Sequence, residues 1–430
     1  MAAGWSQQQL KRPFSINLGK MLQNAPTSVE DVEVPYLKAQ HVQWNGVRLS
    51  DLPTMWASPA EILGLEVRDG DLLVCEGGEV GRAALVSEQP PARTIIQNAL
   101  HLVRGRANAE PRFLAYVLHH AAAQGWFDVL CNRSTIAHFT VEKFGEMWTW
   151  LPEASHQRTI ANYLDRETAR LDALVAAKER VLGLLAEKRR ALITHAVTRG
   201  IDPTAPLRDS GIPWLGEIPA HWRTERLKFH LSEIEQGWSP QCESYPAEEG
   251  EWGVLKVGAV NGWEFNPNEN KRLPDDIEPL PEYEISSGDV LISRANTTEL
   301  LGSTVMVREV RPKLLLCDKL YRLVFNSPRL ERDFLVLFLR SVAGRYEFER
   351  NATGASNSMQ NIGQDSVRDV WIPLPPLPEQ HAIVAHIQKE TAKLDALRAA
   401  TERTIGLLKE RRAALIAAAV TGKLTLEGAV

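Results

Sequence analysis

A long stretch of this chain is written twice, and this duplication limits the possible folds more than any other feature. The segment 167–174 reads ETARLDAL and the segment 390–397 reads ETAKLDAL, so the two copies stand at an offset of 223 in the numbering. Aligned without gaps, 164–198 and 387–421 share 22 of 35 positions, more than chance similarity between amphipathic helices would give. An internal repeat of this kind identifies the structural unit from which a chain is built.

Fainter matches extend the duplication upstream. Trp148 corresponds to Trp371 at the same offset, and at an offset of 218 the segment 70–73 (GDLL) corresponds to 288–291 (GDVL). At that second offset Lys38 corresponds to Lys256. The sequence therefore predicts two copies of one unit, each a variable globular segment followed by a well-preserved helix, related by a pseudo-two-fold axis.

Each preserved block predicts one continuous long helix. The segments 158–197 and 381–420 contain no proline and one glycine each, Gly183 and Gly406 at matching places. Apolar residues recur every seven positions between charged flanks, which is the coiled-coil pattern. A helix of roughly 40 residues is about 60 Å long and cannot bury such a stripe alone. We therefore expect an antiparallel coiled coil within one chain, although each helix could instead pack only on its own globular segment. The predicted seam residues are Leu164, Leu171, Leu174, Leu185, Leu192, Ile387, Leu394, Leu397, Leu408 and Leu415.

The globular segments predict two mixed α+β domains, here called head 1 (1–150) and head 2 (208–372). In both heads, short β-branched runs alternate with turn signals, and the Gly-Asp pairs at 70–71 and 288–289 predict tight turns into strands. The long helices occupy 151–200 and 373–430. A segment rich in proline and glycine, 201–222, predicts a linker that returns the chain to the start of the second copy.

Composition indicates a reduced, non-membrane protein without recognisable catalytic motifs. Four widely spaced cysteines form no C-x-x-C pair, which favours free thiols in the cytoplasm. No apolar run approaches the ~20 residues of a membrane helix, and residues 1–10 do not resemble an export signal. The chain contains no phosphate-binding GxxxxGK[ST] loop, no HExxH pair and no methyltransferase Asn/Asp-Pro-Pro-aromatic motif. We therefore expect a chain that is not an enzyme and that binds no metal or cofactor itself.

Polar side chains cluster on the predicted loops and are candidates for contacts with a ligand. For each residue taken singly, a solvated turn is at least as good an interpretation. The matched lysines of the two copies suggest a shared role. The candidates are Lys38, Gln40, His41, Arg82, Asn132, Arg133 and Ser134 in head 1, and Lys256, Arg294, Asn296, Thr297, Thr298, Ser356, Asn357, Ser358 and Gln360 in head 2.

Two motifs resemble those of a known family, the specificity subunits of Type I restriction–modification systems. The segment 211–222 (GIPWLGEIPAHW) followed by 226–228 (RLK) is similar to the entry into the second target-recognition domain of that family. The segment 372–380 (IPLPPLPEQ) is similar to its strand-to-helix junction. The corresponding segment of the first copy, 151–157 (LPEASHQ), departs from the pattern, with His156 in place of the glutamate. The resemblance covers the whole chain in the order head, helix, head, helix.

The resemblance implies a function and a set of partners. Each head would read one half of a bipartite site in double-stranded DNA, and the helix pair would hold the heads at a fixed separation. The loop candidates would contact the edges of bases, which call for Arg, Asn, Gln, Ser or Thr, and the matched lysines would contact phosphates. Two methyltransferase subunits and the restriction/translocase subunits would dock on the chain, and S-adenosylmethionine, ATP and Mg²⁺ would be bound by those partners. An unrecognised enzyme and a coiled-coil scaffold of a DNA-processing complex that reads no sequence remain alternatives.

Charge is the main argument against DNA binding. The net charge is −5. Head 1 contains 13 basic and 15 acidic residues, and head 2 contains 19 and 26. Because phosphate neutralisation supplies much of the affinity of DNA-binding proteins, we expect the isolated chain to bind DNA weakly and the methyltransferase partners to supply much of the attraction.

Overall fold

The computed structural model describes residues 4–130, 139–356 and 359–424. The chain divides into two compact units. Unit 1 is formed by 1–179 together with 402–430, and unit 2 by 180–401. Both boundaries fall inside the long helices. Each unit therefore combines one head with a part of each long helix.

The strands of unit 1 form one four-stranded sheet and several smaller sheets. They are β1 (Ser6–Gln9), β2 (Phe14–Leu18), β3 (Val32–Leu37), β4 (Val42–Gln43), β5 (Gly46–Val47), β6 (Thr54–Ala57), β7 (Leu72–Cys75), β8 (Ala83–Leu85), β9 (Ile95–Ile96), β10 (Leu100–Gly105) and β11 (Trp148–Leu151). The four-stranded sheet is antiparallel in the order β2-β10-β7-β8. A smaller sheet has the order β6-β3-β9, with β3 antiparallel to β6 and parallel to β9. Strand β7 is buried at every residue, so its sequence is a continuous apolar run.

The helices of unit 1 are short, apart from the long helix α5. They are α1 (Pro59–Leu65), α2 (Pro111–Ala123), α3 (Trp126–Leu130), α4 (Val141–Glu146) and α5 (Ala154–Arg199). The carboxylate of Glu110 caps α2 by accepting a hydrogen bond from Arg112 N, with Pro111 at the first helical position. The core of head 1 is completed by Ile160 and Leu164 of α5 and by Ile416 near the C-terminus.

The strands of unit 2 repeat the arrangement of unit 1. They are β12 (Leu207–Asp209), β13 (Glu217–Pro219), β14 (Arg223–Arg226), β15 (Leu231–Gln236), β16 (Gly253–Leu255), β17 (Asn270–Arg272), β18 (Val290–Ser293), β19 (Ala295–Asn296), β20 (Thr304–Met306), β21 (Leu314–Leu315), β22 (Leu320–Phe325), β23 (Thr353–Ser356), β24 (Met359–Asn361) and β25 (Trp371–Leu374). The antiparallel sheet β15-β22-β18-β20 matches β2-β10-β7-β8, and β17-β16-β21 matches β6-β3-β9 down to the one parallel pair. The pairs β1–β11 and β14–β25 also correspond. The predicted duplication is confirmed.

The last of the helices that begin in unit 2 is the second long helix, α9. They are α6 (Arg332–Arg340), α7 (Val342–Arg350), α8 (Gln364–Arg368) and α9 (Leu377–Val420). The predicted linker 201–222 contains the hairpin β12–β13, and Ile212, Leu215 and Ile218 are buried in the core of unit 2. The indole of Trp222 donates to the carboxylate of Glu379 at 3.1 Å, so this segment is fastened to the start of α9.

Turn chemistry is shared by the two copies. Gly70 and Gly288 have φ angles of +84° and +93°, which explains why glycine precedes β7 and β18. The carboxylates of Asp71 and Asp289 then accept hydrogen bonds from the backbone N–H groups three residues earlier, at 2.8 and 2.9 Å. The tight turns predicted from the Gly-Asp pairs are confirmed.

The long helices contact each other within each unit through matching ion pairs. In unit 1, Asp172 of α5 pairs with Arg412 of α9 at 3.0 Å. In unit 2, Arg189 of α5 pairs with Asp395 of α9 at 2.5 Å. The offset that relates the two helices carries Asp172 onto Asp395 and Arg189 onto Arg412, so the two ion pairs are copies of each other.

The seam of these helices differs from the prediction at two positions. Leu174 and Leu397 are 43% and 55% exposed, so their assignment to the seam is wrong. Thr168 and Thr391, six residues before these leucines, are buried instead, at 5% and 8% exposure. Each threonine hydroxyl donates to the carbonyl four residues earlier, at 2.7 and 2.8 Å, which satisfies its polar atom inside the helix. Of the other predicted seam residues, Leu164, Leu171, Ile387 and Leu394 are buried, and Leu185, Leu192, Leu408 and Leu415 are half-buried.

No helix among the described residues is long and apolar enough to cross a bilayer.

Candidate nucleic-acid interface

Four of the head 1 candidates come together at one corner of unit 1. Strand β3 ends at Leu37, and Lys38 then begins a 3-10 turn over Ala39–His41. Arg82, from the β7–β8 connection, donates to the carbonyl of Ala39 at 2.9 Å and to Glu79 at 2.8 Å. Arg82 thus ties the two connections together, and Gln40 is the exposed candidate of the group.

His41 supports this turn from inside. Its ring is 1% exposed, and Nδ1 accepts a hydrogen bond from the backbone N–H of Lys38 at 3.1 Å. Burial, helped by the positive charges of Arg48 and Lys38, lowers the pKa of His41 below its usual value. The ring would reach a base edge only if the turn opened, so this arrangement favours a structural role for His41.

Two candidate clusters of head 2 meet in one sheet. Strand β24 pairs with β19 on one side and with β23 on the other, and the Cα atoms of Asn296 and Gln360 are direct partners. The structure therefore brings 295–296 next to 359–361, two segments that are far apart in sequence. Ser356 contributes its backbone to β23.

The side chains of this loop region are largely engaged with the protein itself. Asn296 is 8% exposed, and its Nδ2 donates to Asn261 Oδ1 at 2.9 Å. Arg294 donates to the carbonyl of Asp318 at 3.3 Å, with its guanidinium 5.7 Å from the ring centre of Tyr321. As placed, Asn296 and Arg294 shape the loop that carries Thr297 and Thr298, and a base contact by either side chain stays a prediction.

Lys38 and Lys256 occupy matching places, since each follows the end of a strand and begins a 3-10 turn. The ammonium of Lys256 lies 2.8 Å from Glu269 Oε2, so a phosphate at this lysine would have to compete with a carboxylate. Arg82 is likewise paired with Glu79. The phosphate role of the two lysines stays a prediction.

The remaining candidates, Asn132, Arg133 and Ser134 of head 1 and Asn357 and Ser358 of head 2, lie outside the described residues. Among the residues that the structure does describe, no group of three or more His, Cys, Asp or Glu side chains is placed to hold a metal ion.

A cluster that the sequence did not predict joins head 2 to the long helices within unit 2. The indole of Trp263 contacts two guanidinium groups, those of Arg340 at 4.6 Å and Arg189 at 5.0 Å from its ring centre. Arg340 ends α6 and Arg189 belongs to α5. The available signal was weak: Trp263 corresponds to Trp44 at nearly the same offset as the duplicated Gly-Asp turn.

Buried glutamines join the start of each long helix to its own head. Gln157 donates to the carbonyl of Pro152 at 2.8 Å and accepts from the backbone N–H of Glu110 at 3.0 Å. At the matching position, Gln380 donates to Pro375 at 2.9 Å and accepts from the backbone N–H of Glu331 at 2.8 Å. Glu110 and Glu331 cap α2 and α6, so each glutamine links the long helix to the first turn of a head helix.

Comparison with known proteins finds specificity subunits of Type I restriction enzymes among the relatives of the chain. No model of a protein family matches the chain. The chain is 32% identical over 204 residues to the specificity subunit of the Type I restriction enzyme EcoEI from Escherichia coli, covering 47% of this chain and 34% of that subunit. It is 23% identical over 282 residues to the EcoKI specificity subunit from Escherichia coli strain K12, covering 64% and 58%. The chain thus matches less than two thirds of the length of these relatives.

Solved structures show the same fold over nearly the whole chain. One is a chain from a structural study of complex assembly and conformational transition of the type I R-M system, with a TM-score of 0.71, 19% identity and coverage of 98% and 99%. Another is the HsdS subunit from Thermoanaerobacter tengcongensis, with a TM-score of 0.55, 20% identity and coverage of 98% of both chains. The duplicated mixed α/β chain described here is thus a homologue of the Type I restriction enzyme specificity subunits and has the fold of the solved HsdS chain.

Proposed function

We propose that this chain is the DNA-specificity subunit of a Type I restriction–modification complex. Head 1 recognises one half of a bipartite site in double-stranded DNA, and head 2 recognises the other. The chain catalyses no step itself. It works in the cytoplasm as the docking platform for two methyltransferase subunits and for the restriction/translocase subunits, which bind S-adenosylmethionine, ATP and Mg²⁺.

The observation that carries the proposal is the duplicated pair of ion pairs between the long helices. Asp172–Arg412 and Arg189–Asp395 are related by the same offset as the long helices themselves. They support one antiparallel intramolecular coiled coil with a pseudo-two-fold axis between them. Such an axis matches the local two-fold symmetry of duplex DNA, as in dimeric proteins that bind paired half-sites.

A split target calls for two readers at a fixed distance and twist. Duplex DNA turns once every ~34 Å, so a change in the separation of the readers also changes the face of the duplex that each one meets. A helix pair sets such a distance residue by residue, at about 1.5 Å each. Two different heads on one preserved scaffold suit two different half-sites.

The charge of the chain indicates that the methyltransferase subunits contribute part of the DNA affinity. The net charge is −5, and Lys256 and Arg82 are each paired with a glutamate. Since DNA affinity depends strongly on phosphate neutralisation, we expect weak binding by the isolated chain and strong, salt-sensitive binding by the complex with methyltransferase subunits.

The proposal is tested by exchanging one head. Methylated positions are mapped in host DNA, and residues 1–150 are then replaced by the corresponding segment of another specificity subunit. One half of the methylated site should change, while the other half and the gap stay the same.

Other outcomes would identify a different function. Methylation that is unchanged by the exchange would indicate a scaffold that reads no sequence. Modification or cleavage of DNA by this chain without any partner subunit would indicate an enzyme. Either result would overturn the proposal.

A further inference from the structure

Trp263 is the centre of a chain of contacts through unit 2. Asp395 of α9 holds Arg189 of α5 at 2.5 Å, and Arg189 lies over one face of Trp263. Arg340 of α6 lies over the indole at 4.6 Å. Both long helices and head 2 therefore meet at this one indole.

Arg340 is rigidly held on the head side of the indole. Its guanidinium donates to the carbonyl oxygens of Val260, Thr304 and Asn261, at 3.3, 3.0 and 3.1 Å. Burial lowers the pKa of Arg340 to about 10, which leaves the group charged at neutral pH. A charged, planar group fixed by three acceptors presents one defined face to the indole.

The same contacts continue to a candidate reading loop. Arg340 binds the carbonyl of Asn261, and the side chain of Asn261 accepts a hydrogen bond from Asn296 at 2.9 Å. Asn296 in turn accepts a hydrogen bond at Oδ1 from the backbone N–H of Thr297. A displacement of Trp263 would therefore be transmitted to the loop that carries Thr297 and Thr298.

Trp263 lines two pockets. It lines a cavity of about 260 Å³ together with Arg190, Thr194 and Tyr346. It also lines a groove of about 650 Å³ that runs along α9 past Gln388. Both pockets lie between residues of head 2 and residues of the long helices. At this place the stack on Trp263 adds to the apolar core that Ile193 of α5 and Val384 of α9 share with head 2.

We propose that Trp263, in contact with both Arg189 and Arg340, is a positioning residue that fixes the orientation of head 2 on the long helices and thereby sets which gap length in the DNA target is accepted. The proposal rests on the proposed function. Trp263 acts by orienting head 2 and the loop that carries Thr297 and Thr298. One base pair of extra gap moves and rotates a half-site by about 3.4 Å and roughly 35°. A firmly oriented head rejects such a displacement, and a head that can rock tolerates it.

The test compares gap lengths rather than affinity alone. The full chain is assembled with its methyltransferase subunits, and Kd is measured on duplexes carrying the mapped site with its natural gap and with gaps one base pair longer and shorter. For Trp263→Ala we expect the preference for the natural gap to fall at least fivefold, with base preference in both half-sites unchanged. Trp263→Phe, which keeps an aromatic face, should lose less.

Two further variants separate positioning from loss of folding. Val290→Ala, a fully buried change in β18, should lower thermal stability and weaken all three gap lengths alike. Arg189→Lys keeps the charge opposite Asp395 but not the planar group over Trp263. It should fold normally and reproduce a smaller loss of gap discrimination, so the test remains decisive if Trp263→Ala does not fold.

Clear results would overturn the inference. One is an unchanged gap profile in Arg189→Lys and in whichever Trp263 variant folds. Another is a changed base preference in the half-site read by head 2, which would make Trp263 part of the readout itself. If the wild-type complex recognises no bipartite site, the proposed function fails, which is a separate outcome visible before any variant is made.

Discussion

The two units fasten equivalent helices with different side chains. In unit 1, Arg112 and Tyr116 of α2 bind the carboxylate of Asp165 on α5 at 2.9 and 2.8 Å. In unit 2 the corresponding positions of α6 carry Asp333 and Leu337, which line the groove beside α9. The attachment of head 1 thus relies on hydrogen bonds at the place where head 2 leaves open space.

A second difference lies at the ends of these helices. His119 of α2 contacts Trp44 edge-on, with ring centres 5.2 Å apart, whereas Arg340 of α6 stacks on Trp263. Both units keep a buried glutamine at the start of the long helix and a matching ion pair between the long helices. The comparison teaches that duplication kept the scaffold, while the attachments of the heads diverged.

The structural equivalence of the two copies is tested most strongly by substitutions at two glycines. A Cβ on Gly302 would lie 2.2 Å from the ring of Phe348, and a Cβ on Gly81 would lie 2.4 Å from the ring of Phe127. Both glycines have positive φ, +72° and +76°. Alanine at either position should destabilise the chain by about 2–5 kcal/mol, from the strained backbone and the clash together, as measured by chemical denaturation.

The matched control is Gly70→Ala, where φ is +84° but no atom lies within 4 Å of the added Cβ. It should cost about 1 kcal/mol, the backbone part alone. Markedly unequal losses for the Gly81 and Gly302 variants would contradict the equivalence of the two copies.

The buried glutamines should give the next largest effects. Gln380→Ala leaves the carbonyls of Pro375 and Arg329 and one backbone N–H without their partner, whereas Gln157→Ala leaves one carbonyl and one N–H. Since an unpaired buried polar group costs about 1–3 kcal/mol, the Gln380 variant should lose more stability, on the order of 3 kcal/mol against 2.

Gln388→Ala provides the control, since Gln388 is exposed on the same helix as Gln380. It should change the free energy of unfolding by less than about 0.5 kcal/mol. Equal losses for Gln157→Ala and Gln380→Ala would mean that the third hydrogen bond of Gln380 contributes nothing.

The two symmetric arginines should separate ion pairing from stacking. Arg412→Ala removes an ion pair between partly exposed groups, which we expect to cost about 0.5–1 kcal/mol. Arg189→Ala removes the equivalent pair and the contact with Trp263, and should cost about 1–2 kcal/mol. Double-mutant cycles with Asp172→Ala and Asp395→Ala isolate the ion-pair part.

Those two coupling energies should be similar, because the pairs are copies. Arg189→Ala should lose more stability than Arg412→Ala, and this excess should persist in a chain that already carries Asp395→Ala. The excess should disappear in a chain that already carries Trp263→Ala. Persistence of the excess in the absence of Trp263 would show that stacking is not its source.

The smallest effect concerns pH. Burial, assisted by the charges of Arg412 and His120 and opposed by Asp172, lowers the pKa of His119. Its contribution to stability is therefore complete above the unfolded pKa of about 6.5 and is lost as pH falls below it, because the unfolded chain binds the proton first. Protection of the 111–123 amides against hydrogen exchange, corrected for intrinsic rates, should decline over that range.

His119→Gln should remove part of this decline, the rest coming from other buried histidines of unit 1 such as His101. Arg340, at the position in α6 that corresponds to His119, stays charged over this pH range. It should therefore cause no such decline in the protection of the α6 amides. A decline of the same size in His119→Gln would exclude His119 as a source.

The duplication could be recognised from the sequence because a repeat is detected from the identities of its residues alone. The Gly-Asp turns were predictable for a similar reason, since their geometry follows from adjacent residues. The burial of Thr168 and Thr391 was not predictable, because Leu174 and Leu397 are more apolar. Only the hydrogen bond to a carbonyl one turn earlier makes the threonines suitable for burial.

The candidate interface was predictable only in outline. Pairing of β19 with β24 joined two clusters that composition had already selected. Whether a polar side chain faces outward depends on partners distant in sequence, as when Arg82 turns to the carbonyl of Ala39 in another connection of head 1. The Trp263 stack unites residues from three such segments, and no periodicity or local motif records it.

The composition of unit 1 has a consequence for biosynthesis. Ile416, Ala419 and Val420 complete the apolar core around Phe113 and Leu164, although they follow unit 2 in the chain. Unit 2 is one continuous stretch, 180–401. On the ribosome, the core of unit 1 is therefore completed only after all of unit 2 has been synthesised, and a message cut short after residue 401 would release a chain in which that core lacks these three residues.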